Sequence, residues 1–163
     1  MYILKTKKLF TYLVVGALIT ALFISCKNDD KTGSGDDYSV PTATGDPATD
    51  LTDGTYLDNL TLTAQVGNPT EDVSSLGQGF TLEIAGNKAT SGLFNALVNA
   101  QVLKSGSEYS AYGESNEDGL SAKEYIKFTI SGDSVTITYI VAVSGDGQSY
   151  KLTYDGTLTK QAS

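Results

Sequence analysis

Ile126-Lys127-Phe128-Thr129-Ile130-Ser131-Gly132-Asp133-Ser134-Val135-Thr136-Ile137-Thr138-Tyr139 (residues 126–139) decides the fold class. Apolar residues at 126, 128 and 130 alternate with polar ones, and the same alternation resumes at 135, 137 and 139. A period of two marks a strand with one buried face. Gly132-Asp133 between two such runs is a tight hairpin turn. The second run continues through Val141 and Val143, where Ile140 and Ala142 make it apolar on both faces.

The alternation spreads outward from this hairpin. Upstream, Tyr56, Leu60, Leu62, Ala64 and Val66 share one phase against Asn59, Thr61, Thr63 and Gln65, and Phe80, Leu82 and Ile84 alternate with Thr81 and Glu83. Downstream, Tyr150, Leu152, Tyr154 and Leu158 alternate with Lys151, Thr153, Asp155 and Thr157. Gly86-Asn87 and Gly145-Asp146-Gly147 supply further turns. In Leu93 to Leu103, Leu93, Phe94, Leu97 and Val98 fit a helix face, while Phe94, Ala96, Val98, Ala100 and Val102 keep an even phase. Asn and Val lower helix propensity, so a strand is favoured, pairing with Glu108 to Tyr112 across Lys104-Ser105-Gly106-Ser107. The expectation is an all-β domain over residues 51–163, an antiparallel up-and-down barrel or meandering sandwich of about seven or eight strands.

The amino terminus carries an address. Lys5, Lys7 and Lys8 precede the uncharged, mostly apolar stretch of 16 residues from Leu9 to Ile24, the layout of a secretory signal over residues 1–25. At ~1.5 Å rise per residue that stretch falls short of a ~30 Å hydrocarbon core. Phe23-Ile24-Ser25-Cys26 resembles the lipobox of bacterial lipoproteins, which implies cleavage before Cys26 and acylation of this cysteine, the only one in the chain. Lys27-Asn28-Asp29-Asp30-Lys31 is similar to the surface-export signal of lipoproteins from Bacteroidetes-type bacteria and reads equally as a solvated acidic tether. The implied location is the cell envelope, lipid-anchored at the outer membrane, with the membrane as a partner. Residues 26–50 are rich in Asp, Gly, Thr, Ser and Pro with no apolar period, and read as a flexible acidic tether.

Composition excludes several functions. Residues 26–163 hold eight lysines against 19 acids, a net charge of −11, which repels phosphate backbones and argues against nucleic-acid binding. Histidine is absent, which removes Ser-His-Asp and Cys-His nucleophile systems and the common zinc and non-haem iron ligand sets. No glycine-rich phosphate loop links a strand to a helix, and no cofactor is implied.

Asp53-Gly54-Thr55-Tyr56 followed by alternating Leu and Thr, together with the closing Tyr154-Asp155-Gly156-Thr157-Leu158, resembles the small calycin-like, lipocalin-like lipoproteins of such bacteria. The resemblance implies a barrel that binds a small apolar ligand. Tyr56, Tyr139, Tyr150 and Tyr154 in the inward phase are the candidate ligand-binding residues, their rings offering apolar surface and their hydroxyls hydrogen bonds. The competing reading makes them ordinary core. Tyr109, Tyr112 and Tyr125 read as exposed partner contacts.

Glu114, Asn116 and Asp118 before Gly119 place oxygen ligands at alternate positions, partly like a calcium loop. Tyr125 stands where a helix-loop-helix calcium site carries its bidentate glutamate, so an acidic surface loop is the plainer reading. Glu83, Glu108 and Glu124 are the carboxylates that glycoside hydrolysis would need, but their spacing brings no pair together and their phase, where clear, faces solvent. The expected function is non-catalytic. Either the protein binds a small apolar ligand in an envelope role, or it is a surface interaction module whose tyrosines and threonine-rich strands meet a protein or a glycan.

Overall fold

The computed structural model describes residues 37–162 except 118. The strands are β1 (Asp46–Pro47), β2 (Gly54–Asp58), β3 (Thr61–Gly67), β4 (Phe80–Ala85), β5 (Lys88–Ser91), β6 (Leu97–Gln101), β7 (Leu103–Ser105), β8 (Glu108–Glu117), β9 (Leu120–Ser131), β10 (Ser134–Gly145) and β11 (Gln148–Lys160), with one 3-10 turn at Ser74–Gly77. They form one antiparallel sheet in the order β1-β7-β8-β9-β10-β11-β2-β4-β5-β6, with β3 also on β11. The sheet curls into a nearly closed barrel. Its seam lies between β6 and β8, where Gly113 lies against the Ala96 carbonyl and Ser115 Oγ donates to the Phe94 carbonyl at 2.8 Å.

The founding hairpin forms in the expected register. Ser131 pairs with Ser134 around Gly132-Asp133, and the ladder runs on to Ser121–Ser144. The inward phase of β9, β10 and β11 supplies the core: Ile126, Phe128, Val135, Ile137, Tyr139, Val141, Leu152, Tyr154 and Leu158 are all buried. The long strands are therefore legible alternations, each held by the burial of one face.

The strand count departs from the expected seven or eight, because eleven form among the described residues. The first alternating run breaks at Asn59-Leu60, where Leu60 donates its N–H to the Gly77 carbonyl at 2.8 Å instead of continuing a ladder. Both halves, β2 and β3, still lie along β11. A bulge then places Leu62 opposite Tyr154 but Ala64 opposite Thr153, so Ala64 and Val66 leave the inward phase. The segment 93–103 is not helical, but Leu97–Gln101 forms β6, which pairs with β5 and not with the expected 108–112; only Leu103 at its end pairs with β8, as the start of β7, which takes in Lys104 and Ser105 of the expected turn. Positive φ angles at Asn95 and Asn99 break its even phase, burying Leu97 and Val102 while Val98 stays exposed.

The segment assigned to the tether is the larger surprise. Lys151 Nζ reaches the Ser39 carbonyl at 3.2 Å and Asp37 at 3.9 Å. Farther along, Thr44 N–H donates to Ser110 Oγ at 3.2 Å. Then β1 pairs with β7, Ala48 N–H donates to the Val102 carbonyl at 2.9 Å, and the Ala48 side chain is buried. Residues 37–44 therefore run diagonally over the outside of β11, β10, β9 and β8. The outward-facing residues on that diagonal are the ones shielded from water: Tyr125 and Ala142 are each 8% exposed and Ser110 is buried, while Ile140 is half-buried. The two apolar faces of β10 are explained by this cover, and the packed domain begins well before residue 51.

Ile137→Ala, at a site 1% exposed, should lower unfolding stability by roughly 2–5 kcal/mol. Thr136→Ala, next to it on the open outer face, should cost less than about 1 kcal/mol in the same urea titration.

Candidate functional site

The inward tyrosines occupy the centre of the barrel. Tyr139 on β10 lies 4.9 Å from the Phe80 ring and 6.0 Å from Tyr154 on β11, centroid to centroid. Tyr56, Tyr139 and Tyr154 are buried at the level of the aliphatic core, whereas Tyr150 is half-buried. Tyr154 donates its hydroxyl to the Val73 carbonyl at 2.7 Å, tying the loop before the 3-10 turn to β11. Tyr139 donates to the carboxylate of Glu124. Tyr139 and Tyr154 have 0% exposed surface, so neither ring borders a void large enough for water. Of the four candidate ligand-binding tyrosines, these two act as packing and hydrogen-bonding residues.

Glu124 is the residue the sequence reading misplaced. It shares the inward phase of Ala122, Ile126 and Phe128 on β9, and its side chain is 0% exposed. One carboxylate oxygen accepts N–H bonds from Leu93 at 2.7 Å and Phe94 at 3.1 Å, and the other from Ala96 at 2.8 Å and Leu97 at 3.3 Å. Leu93 N–H also lies 3.3 Å from the Tyr139 hydroxyl. The loop can turn four amides onto one carboxylate because Gly92 and Asn95 take positive φ, of +94° and +59°. A Cβ at Gly92 would collide with the carboxylate itself, and one at Gly113, the cross-strand neighbour of Glu124, would collide with the loop at Ala96. Glycine is therefore required at both positions.

An unpaired buried carboxylate would be strongly unfavourable, but four amide donors and a phenol replace its water. The group is satisfied on all sides and reaches no substrate. Its chemistry is adhesion between β9 and the loop entering β6. Burial and the adjacent Glu124 charge push the Tyr139 phenol well above its usual pKa, and burial lifts Tyr154 to about 12.

The other carboxylates stand apart. Glu83 on β4 and Glu108 on β8 point outward, Glu108 toward Lys127 at 3.4 Å, so neither shares a cleft with Glu124. Glu114 accepts from the Tyr112 hydroxyl and lies 3.8 Å from Lys123. Glu114 and Asn116 belong to a regular hairpin that stays paired to Glu117–Leu120, not to a ligand-gathering loop, and Asp118 lies outside the described residues. Among the described residues no group of three or more Asp, Glu, His or Cys could hold a metal ion. Cys26 also lies outside the described residues.

Tyr109 and Tyr125 are not the exposed contacts expected of them. Tyr109 stacks on Phe128 at 5.4 Å inside the barrel and donates to Asp50 at 3.1 Å. Tyr125 is outward but lies under the 37–44 segment, and Tyr112 is half-buried. Comparison of this chain with known protein families, curated proteins and solved structures finds no match.

Glu124→Gln should cost about 3 kcal/mol in urea unfolding, because its amide group turns donors toward the donors of Ala96 and Leu97. Stability should also fall at alkaline pH. Above about pH 10 unfolded tyrosines lose protons that Tyr139 and Tyr154 retain in the fold, so each contributes a slope of up to about 1.4 kcal/mol per pH unit. The unfolding midpoint should drop between pH 10 and 12, and Tyr139→Phe should flatten that drop while itself costing about 2 kcal/mol at pH 7.

Proposed function

We propose that this is a lipid-anchored cell-envelope protein, calycin-like in its barrel, that acts without catalysis as an interaction module through its outer surface. The observation that carries this reading is the closed chemistry of the interior. The hydroxyls of Tyr139 and Tyr154 are committed to Glu124 and Val73, and the rings lie in contact with their neighbours, which leaves these two residues no free hydroxyl or ring face for a cargo. The carrier alternative needs such surface.

The outer face offers what the interior does not. Thr129, Thr136 and Thr157 stand side by side on β9, β10 and β11, and Ser131, Ser134 and Thr159 form the next row. The six positions carry no charge in a chain that is otherwise strongly acidic. Hydroxyls that both donate and accept, spaced ~4.8 Å between strands, suit a neutral partner rich in hydroxyl and amide groups, such as a glycan.

Native mass spectrometry of the purified protein should show the mass of the polypeptide and its acyl chains alone, and an environment-sensitive apolar dye should show no saturable binding. A co-purifying small molecule would return the carrier reading. Cys26→Ala should abolish lipid labelling and release the protein from membranes, and retention of that variant would remove the anchor from the proposal. Electrophoretic mobility should be retarded in gels containing the neutral polysaccharide that the protein meets, and Thr136→Glu with Thr157→Glu should restore free migration.

A further inference from the structure

We propose that the outer face of β8 to β11 beneath residues 37–44 is a docking site for an extended peptide of a partner protein, and that residues 37–44 hold it closed as a built-in competitor. The site is separate from the Ser/Thr rows and has an apolar floor with two polar handles. Tyr125 and Ala142, each 8% exposed, and half-buried Ile140 make the floor. Lys151 Nζ, on β11, reaches the Ser39 carbonyl at 3.2 Å and the Asp37 carboxylate at 3.9 Å, and Ser110 Oγ, on β8, accepts the Thr44 N–H at 3.2 Å. Among the described residues the Lys151 ammonium bonds only to this arm.

The arm is attached unequally. Beyond Gly45 it is built into the sheet: β1 pairs with β7, Ala48 N–H donates to the Val102 carbonyl at 2.9 Å, Asp50 accepts from both Lys104 and Tyr109, and Leu51 N–H donates to Asn87 Oδ1 at 3.1 Å. Across residues 37–44 no backbone-to-backbone hydrogen bond joins it to the barrel. The Asp37 side chain is 75% exposed, so its ion pair with Lys151 is a weak hold. A segment fixed at one end and short of ladder bonds at the other opens at a fraction of the cost of global unfolding. Peeling it back to Gly45, whose φ of +117° marks the change, uncovers the floor and frees Lys151 while the sheet keeps its pairing.

The segment in the site shows what fits it. Tyr38, Val40 and Ala43 are half-buried while Asp37, Ser39, Pro41 and Thr42 are exposed, so an aromatic, a β-branched and a small residue meet the barrel. The Tyr38 ring lies against Gly67 of β3. Proline at 41 disfavours a helical Val40 and keeps the segment extended. Asp37 accepts the Ser39 N–H at 2.9 Å, which sets its carboxylate and the Ser39 carbonyl within reach of one ammonium. The partner is therefore an extended segment in which an acid precedes an aromatic and a β-branched residue at alternate positions, followed by proline. Because arm and partner compete for one surface, the partner's apparent affinity is lowered in proportion to the fraction of open arm.

The probe is a fluorophore-labelled peptide Asp-Tyr-Ser-Val-Pro-Thr-Ala-Thr, the sequence of residues 37–44, titrated with the full chain. Tyr38→Asp with Val40→Asp should displace the arm and raise the affinity for the probe about tenfold over the parent. Lys151→Glu added to that variant should remove the binding. In the parent chain, hydrogen exchange should run about a hundredfold faster at the Thr44 amide than at the Ala48 amide, which lies in the fixed part. A folded double variant that does not bind the probe, or binding indifferent to Lys151, overturns the site. Equal protection of Thr44 and Ala48 overturns the opening, whether or not the variant folds. A parent chain that is dimeric in native mass spectrometry and monomeric after Tyr38→Asp with Val40→Asp makes the occupant the arm of a second copy and overturns the partner.

Discussion

The barrel has a seam, and one buried carboxylate gathers most of the hydrogen bonds that hold it. β6 and β8 are the neighbours that would complete the cylinder, yet the strand order runs from one to the other only the long way round. The amides of Leu93, Phe94, Ala96 and Leu97, which enter β6, turn instead to Glu124 on β9. Gly113 on the intervening strand leaves room for the loop to lie over it. A charged acceptor holding four donors is stronger than the neutral ladder bonds it replaces, and the low dielectric of the core strengthens it further. The same environment makes the arrangement unforgiving, because removing the acceptor strands several buried donors together.

The Glu124 network also determines what the tyrosines can do. Tyr139 completes the set of donors around the carboxylate, which commits its hydroxyl and orients its ring between Phe80 and Tyr154. Tyr154 in turn holds Val73 and the loop that follows β3. Aromatic rings with committed hydroxyls make a rigid interior, since each is fixed by both packing and direction. A cargo would have to displace these contacts and leave polar groups unpaired.

Much of the sheet could be read from alternation alone. The hairpin around Gly132-Asp133 and the inward faces of β4, β9, β10 and β11 follow it residue by residue, because a period of two has one meaning when one face is dry. Failures came where a local exception outweighed the period. The bulge opposite Thr153 moved Ala64 and Val66 out of phase, and left-handed Asn95 and Asn99 did the same before and within β6. Glu124 was in the inward phase all along, two residues before Ile126. Its charge argued for solvent, and only the amides of a distant loop make its burial tolerable. Residues 37–50 were illegible for the opposite reason: Asp, Thr, Pro and Ala have no period, and their order comes from a surface already built by β8 to β11.

That dependence gives the 37–44 segment its structural role. Tyr125, Ile140 and Ala142 would form an apolar patch on the outer face of an otherwise polar sheet. Such a patch is an invitation to associate, and covering it with a segment of the same chain removes the liability. The cover crosses four strands and stops short of the Ser/Thr rows, so one outer face is divided into a shielded half and an open half. Packing inside the barrel and cover on one half of its outer face thus leave the neutral hydroxyl rows as open surface.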